Sequence, residues 1–555
     1  MKHLRWLGWM GLGVMVGFGI FLLGFRERSD SPNEPHIDDL RKLQLILELV
    51  EKYYYRPITQ EELVRKAIDG LFRGLDPHSF YIPKEIQQQE EAEMSGGFEG
   101  IGIEFQIIED TIQVLSPIKG GPSEMVGIQA GDKIIEVDGR VVAGRGITQR
   151  EVIQLLRGKK GTRVRVKIAR PDEKELLEFE IIRDRIPIHA VHFAGKVGEV
   201  GYIQLARFSE SSHEELRQAL RQLKQLGVKG IVLDLRSNPG GYLHMAQRIA
   251  DEFLPEGKKI VYTQGRVPES NSSYIATSYY GTYEKGPLII MIGPGSASAS
   301  EIVAGAVQDW DRGLIVGQRS FGKGVVQTQR YLPDSSAVRI TFSRYFTPSG
   351  RCIQKPFENV SSEEYEKELK ERLERGEFVD ETKIPMPDSL KYSTASGRIV
   401  YGGGGIIPDI FFPMDTTARR IHPCAQLAQR KNLYFLAAQM YVSRHSEIKN
   451  KYNSAEDFAE KFKVDSELWD IFMRKVKEKE INCDFRSDTA RRDAEWLLRA
   501  SVAKLSFGEE ARTRVEMERD TDLKRALRLI PAAEELEMTG KLDKARYKAA
   551  ILKIE

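Results

Sequence analysis

The sequence predicts an α+β multidomain protein: an N-terminal transmembrane helix, a helical segment, a small β-rich unit, an α/β core and a C-terminal helical extension. Three observations carry that prediction. Residues 6–25 (WLGWMGLGVMVGFGIFLLGF) hold no charge over about the length a bilayer core requires. Residues 97–185 alternate short β-branched runs with glycine turns, the pattern of a small, partly open barrel. From residue 186 onward strands alternate with amphipathic helices, which argues a parallel-rich sheet with sites at its strand C-terminal ends.

A chain of 555 residues suggests roughly three to five domains. Hydrophobic residues at 41% and charged residues at 30% describe an ordinary solvated body, and a net charge of +2 implies no nucleic-acid or other polyanionic partner. Cys352, Cys424 and Cys483 are too few for a disulfide framework. One bridge can form among them, but free structural thiols are the expected state.

A cleaved signal peptide has a shorter apolar run and ends at small residues. Phe25, Arg26 and Glu27 follow this one, so residues 6–25 read as an uncleaved anchor. Lys2 and Arg5 precede the span while Arg26 and Arg28 follow it, so flanking charge barely decides orientation. Gly13-x-x-x-Gly17 is a weak helix-contact signal in so glycine-rich a span. Residues 26–36 form a polar tether, and residues 37–96 read as helical, with Thr59 as a cap.

Within 97–185, IGIEFQI, TIQVLSPI, KIIEVDG, RVRVKIAR and LEFEIIR are strand-like, and REVIQLLRG is a helix ending at Gly158. GGFEGIGIEF, then GPSEMVGIQAGDKIIEVDGRVV, then the helix and LRGKKGT together resemble a PDZ domain. Such domains add a peptide as an extra strand and hold its C-terminal carboxylate in a glycine-containing loop. The resemblance places peptide binding at Glu99, Gly100, Ile101, Gly102 and Ile103.

The core, 186–416, runs through VGYIQLARF, SSHEELRQALRQLKQLG, KGIVLDLR, GYLHMAQRIADEFL, PLIIMIG, EIVAGAVQDW and GLIVG, strand and helix in turn. A charged, helix-like insertion spans 357–397, after which SGRIVYGGGGIIPDI returns to the core. Residues 417–555 read as a mostly helical appendage without a recognisable site.

GPGSASASE (293–301) places three serines where a strand turns into a helix, and no histidine lies within about fifty residues. A serine there has the next residue's N–H as an oxyanion donor. Equally, Ser298-Ala-Ser-Glu301 matches a capping box, in which the serine only caps the helix. GQRSFGKGVVQ (317–327) sets Lys323 between two glycines after a buried strand. Lysine acts as a general base only where burial or neighbours lower its pKa, and serine–lysine pairs are a known variant of serine–histidine chemistry. The same stretch is six-sevenths of a phosphate-binding loop, but Gly324 stands where Ser or Thr should be and VVQTQRYL reads as strand rather than helix. Asp234-Leu-Arg-Ser-Asn-Pro-Gly-Gly241 ends another buried strand and offers a second oxyanion donor.

The PDZ segment, LDLRSNPGGYL, GSASASEIVAGAVQD, VGQRSFGKGVVQ, YFTPSGRCI and GGIIPDI, in that order over about 95–415, resemble the carboxyl-terminal processing (tail-specific) proteases. The resemblance implies an α/β (ClpP/crotonase-like) protease core, Ser298 as nucleophile, Lys323 as general base and Gln327 orienting it. It implies oxyanion donors at Ala299 and at Gly240 or Gly241, and Arg157 coupling a loaded PDZ to the active site. Extended geometry would set Lys323 and Gln327 about 13 Å apart, so a turn is expected just after Gly324. His244 is the alternative base, and Ser296 and Ser300 read as small structural residues. The expected function is therefore a membrane-anchored serine endoprotease in a bacterial periplasm or envelope, acting on protein C-terminal tails without metal or cofactor. The alternative is an inactive PDZ scaffold, and a homo-oligomer is left open.

Overall fold

The computed structural model describes residues 37–118, 120–170, 173–358, 360, 362–414, 421–445 and 447–552. The expected anchor and tether lie outside the described residues, and no described helix is long and apolar enough to cross a membrane. The chain divides into two units, 1–75 and 76–555. In the first, α1 (Ile37–Tyr53) and α2 (Gln60–Arg73) are described. Thr59 caps α2 through a capping box with Glu62.

The second unit opens with β1 (Phe80–Ile82) and α3 (Lys84–Met94) and enters the β-rich body through β2 (Gly97–Gly100). That body comprises β3 (Ile103–Ile108), β4 (Thr111–Pro117), α4 (Pro122–Met125), β5 (Lys133–Val137), β6 (Arg140–Val141), α5 (Gln149–Leu156), β7 (Arg163–Ala169) and β8 (Leu177–Ile182). Its antiparallel sheet runs β3-β4-β5-β7-β8, so β3 is an edge strand. The sheet and α5 share a core of Ile112, Val114, Ile134, Val152, Val164 and Val166. The chain leaves through β9 (Asp184–Pro187), which pairs with β2.

The core follows as β10 (Val191–Val197), β11 (Val200–Leu205), α6 (Ser212–Gln225), β12 (Ile231–Asp234), α7 (Leu243–Asp251), β13 (Lys259–Gly265) and β14 (Ser272–Ile275). It continues as β15 (Leu288–Ile292), α8 (Ala299–Asp309), β16 (Leu314–Gly317), β17 (Val325–Tyr331), β18 (Ala337–Phe346), α9 (Ser362–Glu374), β19 (Lys391–Ser393), β20 (Ile399–Tyr401) and β21 (Ile410–Phe411). Its main sheet, β10-β11-β12-β15-β16-β21, is parallel except at β10. Both faces are buried: Leu288, Ile290 and Ile292 pack among α6, α7 and α8, while Ile289 and Met291 face the other way. That is why LIIMI is apolar throughout rather than alternating. A second sheet runs β1-β18-β13-β14, with β17 on β18.

The C-terminal region is no appendage, which corrects the sequence reading. Helices Thr521–Arg528 and Ile530–Thr539, with Leu529 between them, set Leu523, Leu529, Ala533 and Leu536 against Val232, Ile289, Met291 and Val316. They cover the sheet's second face, and a charged exterior at helical spacing concealed that duty. The helices from Pro423–Arg430 to Glu509–Met517 form a separate lobe with its own core. The lobe meets the β-rich body through Gln113 donating to Gln439 at 2.9 Å and Lys504 pairing with Glu104 at 2.7 Å. Cys424 and Cys483 are bonded within this lobe, against the expectation of free thiols, and Cys352 is free. Spacing alone could not show that tertiary packing brings two cysteines 59 residues apart together.

Candidate active site

Strands β12, β15 and β16 are neighbours in the parallel sheet, and their C-terminal ends carry the NPGG, SASAS and FGKG segments. Three candidate pieces far apart in sequence thus meet on one sheet edge. The backbone enters α8 at Ser298 with φ 53° and ψ −111°, a conformation costly for a residue bearing a Cβ. The hydroxyls of the three serines are not equivalent. Ser296 Oγ donates to Leu235 O at 2.6 Å and accepts from the Gly293 N–H at 3.0 Å. Ser300 Oγ donates to Asn238 O at 2.8 Å. Both bind the NPGG loop to the serine turn. Ser298 stands in a capping-box position with Glu301, whose carboxylate accepts from the Ser298 N–H at 2.8 Å, while the Glu301 N–H lies 2.9 Å from the Ser298 carbonyl and also faces the Ser298 side chain.

Gly240 sits against this turn at φ +102°. A Cβ there would lie 2.7 Å from Ala297 O, 2.9 Å from Ser298 Cβ and 3.0 Å from Ala299 N, so only glycine fits. The Gly240 N–H is already given to Asn238 Oδ1 at 2.9 Å. Among the described residues, the N–H groups of Gly241 and Ala299 have no acceptor.

The Ser320–Gly324 loop is held at every backbone polar group. Ser320 N–H donates to Ile406 O, Phe321 N–H to Ser296 O, and the Gly322 and Lys323 N–H groups to Glu301 at 2.7 and 2.9 Å. Gly324 N–H donates to Gln354 Oε1 at 2.7 Å. On the acceptor side, Arg372 donates to the carbonyls of Ser320 and Phe321, and the Lys355 N–H donates to Gly322 O. The Tyr345 hydroxyl donates to Lys323 O at 2.8 Å, and the Tyr345 N–H to Gly324 O.

Burial lowers the Lys323 pKa, and the nearby Arg339 charge lowers it further. Glu301, Asp76 and Glu90 oppose that shift. Lys323 Nζ donates to Gln327 Oε1 at 2.8 Å, and no hydrogen bond joins it to the Ser298 hydroxyl. The expected turn after Gly324 is absent: β17 begins at Val325. Two long side chains reach along the strand, helped by a register shift between Val326 and Gln327. The same strand, in place of a helix, excludes a phosphate-binding loop.

Sequence reasoning missed the main duty of one residue at this site, Glu301, and the whole of another, His78. Glu301, wholly buried, accepts from the N–H groups of Ser298, Gly322 and Lys323 and from Ser320 Oγ. One carboxylate therefore joins the serine turn to the lysine loop. Burial raises its pKa, while those four donors pull it back. The S-x-x-E spacing was visible, but it signalled only a helix cap. His78 offers its carbonyl to Gln327 Nε2, which turns the amide oxygen toward Lys323. Asp76 fixes that turn, accepting from the N–H groups of His78 and Ser79 and from the Ser79 and Thr341 hydroxyls. Burial, then the Lys323 charge, lower His78 to about 4.

The remaining candidates fall elsewhere. His244 pairs with Glu210 at 3.2 Å and stacks on Tyr242, with no hydrogen bond to Ser298. Arg157 bridges to Gly100 and lies 4.5 Å over the Phe98 ring, within the β-rich body. Gly102 offers an N–H group with no acceptor among the described residues, just ahead of edge strand β3. Gly102 adopts φ +73°, and a Cβ there would lie 2.8 Å from Ile186 Cδ1.

This combination of a PDZ-type body and a serine-bearing α/β core is that of a PDZ-containing serine peptidase. Residues 199–360 match peptidase family S41, and residues 113–170 match the PDZ domain family. A carboxy-terminal-processing protease of Bartonella bacilliformis is 39% identical over 313 residues, 56% of this chain and 71% of the relative. The Bacillus subtilis carboxy-terminal processing protease CtpB is 33% identical over 354 residues, 62% and 73% of the two chains. Among solved structures, a photosystem II D1 C-terminal processing protease is 29% identical, covering 56% of this chain and 83% of its own, with a TM-score of 0.30. The assignment rests on the sequence relatives rather than on superposition. The chain belongs to the carboxy-terminal processing proteases of peptidase family S41 and is a serine endopeptidase.

Proposed function

We propose that this endopeptidase works by a Ser298–Lys323 dyad on substrates selected by their C-terminal tails. The observation that carries this reading is the meeting of three strand ends, at which Ser296 and Ser300 donate their hydroxyls to backbone carbonyls and Ser298 does not. Ser298 Oγ attacks the scissile carbonyl and passes its proton to the neutral Lys323 amine. Gln327 accepts one N–H of that amine, and the amine then swings its lone pair to Ser298. The oxyanion accepts from Ala299 and from Gly241, the latter preferred because the Gly240 N–H is engaged. The lysine ammonium protonates the leaving amine as the C–N bond breaks. Lys323 then takes a proton from water, whose attack on the acyl carbon breaks the ester bond. It returns that proton to the departing Ser298 oxygen, which frees the acid and restores both residues.

The tail carboxylate would rest on the Gly100–Ile103 segment and extend β3 as an added strand, with Arg157 sensing its presence through Gly100. The apolar run at 6–25 supports a single-pass inner-membrane anchor. The Cys424–Cys483 bond supports an oxidising, periplasmic or envelope location for the body.

A serine-reactive fluorophosphonate should form one adduct, at Ser298 by peptide mass spectrometry, and none in Lys323→Ala. Labelling of a different serine, or equal labelling without Lys323, would overturn the dyad. Gly240→Ala should cut turnover at least about tenfold, because its Cβ displaces the 297–299 turn. Unchanged peptide hydrolysis would show that the turn yields.

A further inference from the structure

We infer that the charged insertion is a clamp on the lysine loop, with Arg372 as its positioning residue. Arg372 lies on α9, which sequence reading left without a role, and it is fully buried. Burying a guanidinium is costly unless its donors are matched. Its Nη1 donates to Ser320 O at 2.8 Å, Nη2 to Phe321 O at 3.1 Å and Nε to Glu368 Oε1 at 2.6 Å. The two carbonyls lie two and three residues before Lys323. Glu301 holds the same loop by its N–H groups where Arg372 holds it by its carbonyls, so the loop is tied to both an anion and a cation fork.

The insertion also holds the residues that flank and support this loop. Glu368 also accepts from Lys355 Nζ at 3.1 Å, and the Lys355 N–H holds Gly322 O at 3.0 Å. Arg319, at the start of the loop, pairs with buried Glu377 at 2.5 Å, and the Glu377 N–H closes onto Arg372 O. Tyr365 sets its ring edge-on to His78 at 4.9 Å and to Phe321 at 6.1 Å. A helix that merely covered apolar surface would need none of these polar contacts to the loop and to the residues that flank and support it.

The charged and titratable groups facing Lys323 include Arg339 and Tyr345 from β18, Glu301 from α8, Glu90 from α3, and Asp76 and His78 from the turn before β1. None belongs to the insertion, so the clamp acts through geometry, by keeping Lys323 desolvated and beside Gln327. Without it, the lysine should hydrate and its acid limb should move toward the ordinary lysine range.

The inference rests on Lys323 being the base, and the test separates the two. In the full chain, Arg372→Ala and Arg372→Lys should lower kcat at pH 7 at least about tenfold with KM of a short peptide little changed. Their kcat/KM acid limb should rise by about one pH unit. Lysine keeps the charge but loses the fork, so full recovery in Arg372→Lys would overturn the clamp. So would a folded variant whose pH profile superimposes on wild type. Glu368→Gln, at a partly exposed position, carries the same test should the Arg372 variants fail to fold. Activity retained in Lys323→Ala defeats the base assignment. An inactive Lys323→Ala beside wild-type-like Arg372 and Glu368 variants defeats the clamp alone.

Discussion

Ser298→Ala is expected to lower kcat by at least about 10,000-fold on an unfolded protein with a free apolar C-terminus, and Lys323→Ala by at least about 100- to 10,000-fold. The double variant should be little worse than Ser298→Ala, since nucleophile and base act as one unit. A discontinuous gel or fluorescence assay of substrate loss checks all three. Retained cleavage in either single variant sinks the dyad. The pH dependence is equally specific. Only the neutral amine accepts the serine proton, so kcat/KM should rise with pH through the Lys323 pKa and then level. That limb should lie below the ordinary lysine value of about 10.4, chiefly because of burial and secondly because of Arg339. Arg339→Met removes the cation and frees Glu90, its 2.6 Å partner, and both changes favour the ammonium. The limb should therefore move to higher pH and activity at pH 7 should fall. A limb moving the other way would place Arg339 outside the field of the base. The same depressed pKa affects stability. The contribution of neutral Lys323 is present above the unfolded lysine value and is lost as pH falls through the folded value.

The strand–helix alternation of the core was legible because a parallel sheet buried on both faces leaves long apolar runs such as PLIIMI. The order of strands was not. That β12, β15 and β16 lie side by side follows from crossover connections and not from any local signal. The identities of Ser298 and Lys323 came from motif resemblance, since the residues alone left capping and catalysis open. Glu301 was read correctly as a partner of Ser298 and incompletely otherwise, because its bonds to Gly322 and Lys323 cross 21 and 22 residues. Helices 521–539 were read as part of a helical appendage without a recognisable site, because only the packed sheet shows which face is covered. Gln327 illustrates the opposite error: rise per residue correctly described the strand, but backbone distance was mistaken for the reach of two long side chains.

Glu301→Gln separates geometry from charge at this site. Glu301 Oε2 accepts from the N–H groups of Ser298 and Lys323 at 2.8 and 2.9 Å, and Oε1 accepts from Gly322 N–H and Ser320 Oγ at 2.7 and 2.5 Å. An amide supplies one acceptor oxygen, and its NH₂ then faces two N–H groups. Each buried donor left unmatched costs about 1–3 kcal/mol, so thermal unfolding should register a loss of at least about 2 kcal/mol. If charge alone mattered, the substitution would help: the carboxylate favours the Lys323 ammonium, and removing it lowers that pKa and enriches the neutral base at pH 7. If the carboxylate is the tie between the serine turn and the lysine loop, the plateau of kcat should instead fall at least about 100-fold, because nucleophile and base lose their common anchor. The two effects appear in different parts of one pH profile, with the acid limb moving to lower pH while the plateau drops. A variant with the limb shifted and the plateau intact would reduce Glu301 to an electrostatic neighbour. Glu301→Ala, which strips all four contacts, should show the same signs with a larger loss in both stability and plateau.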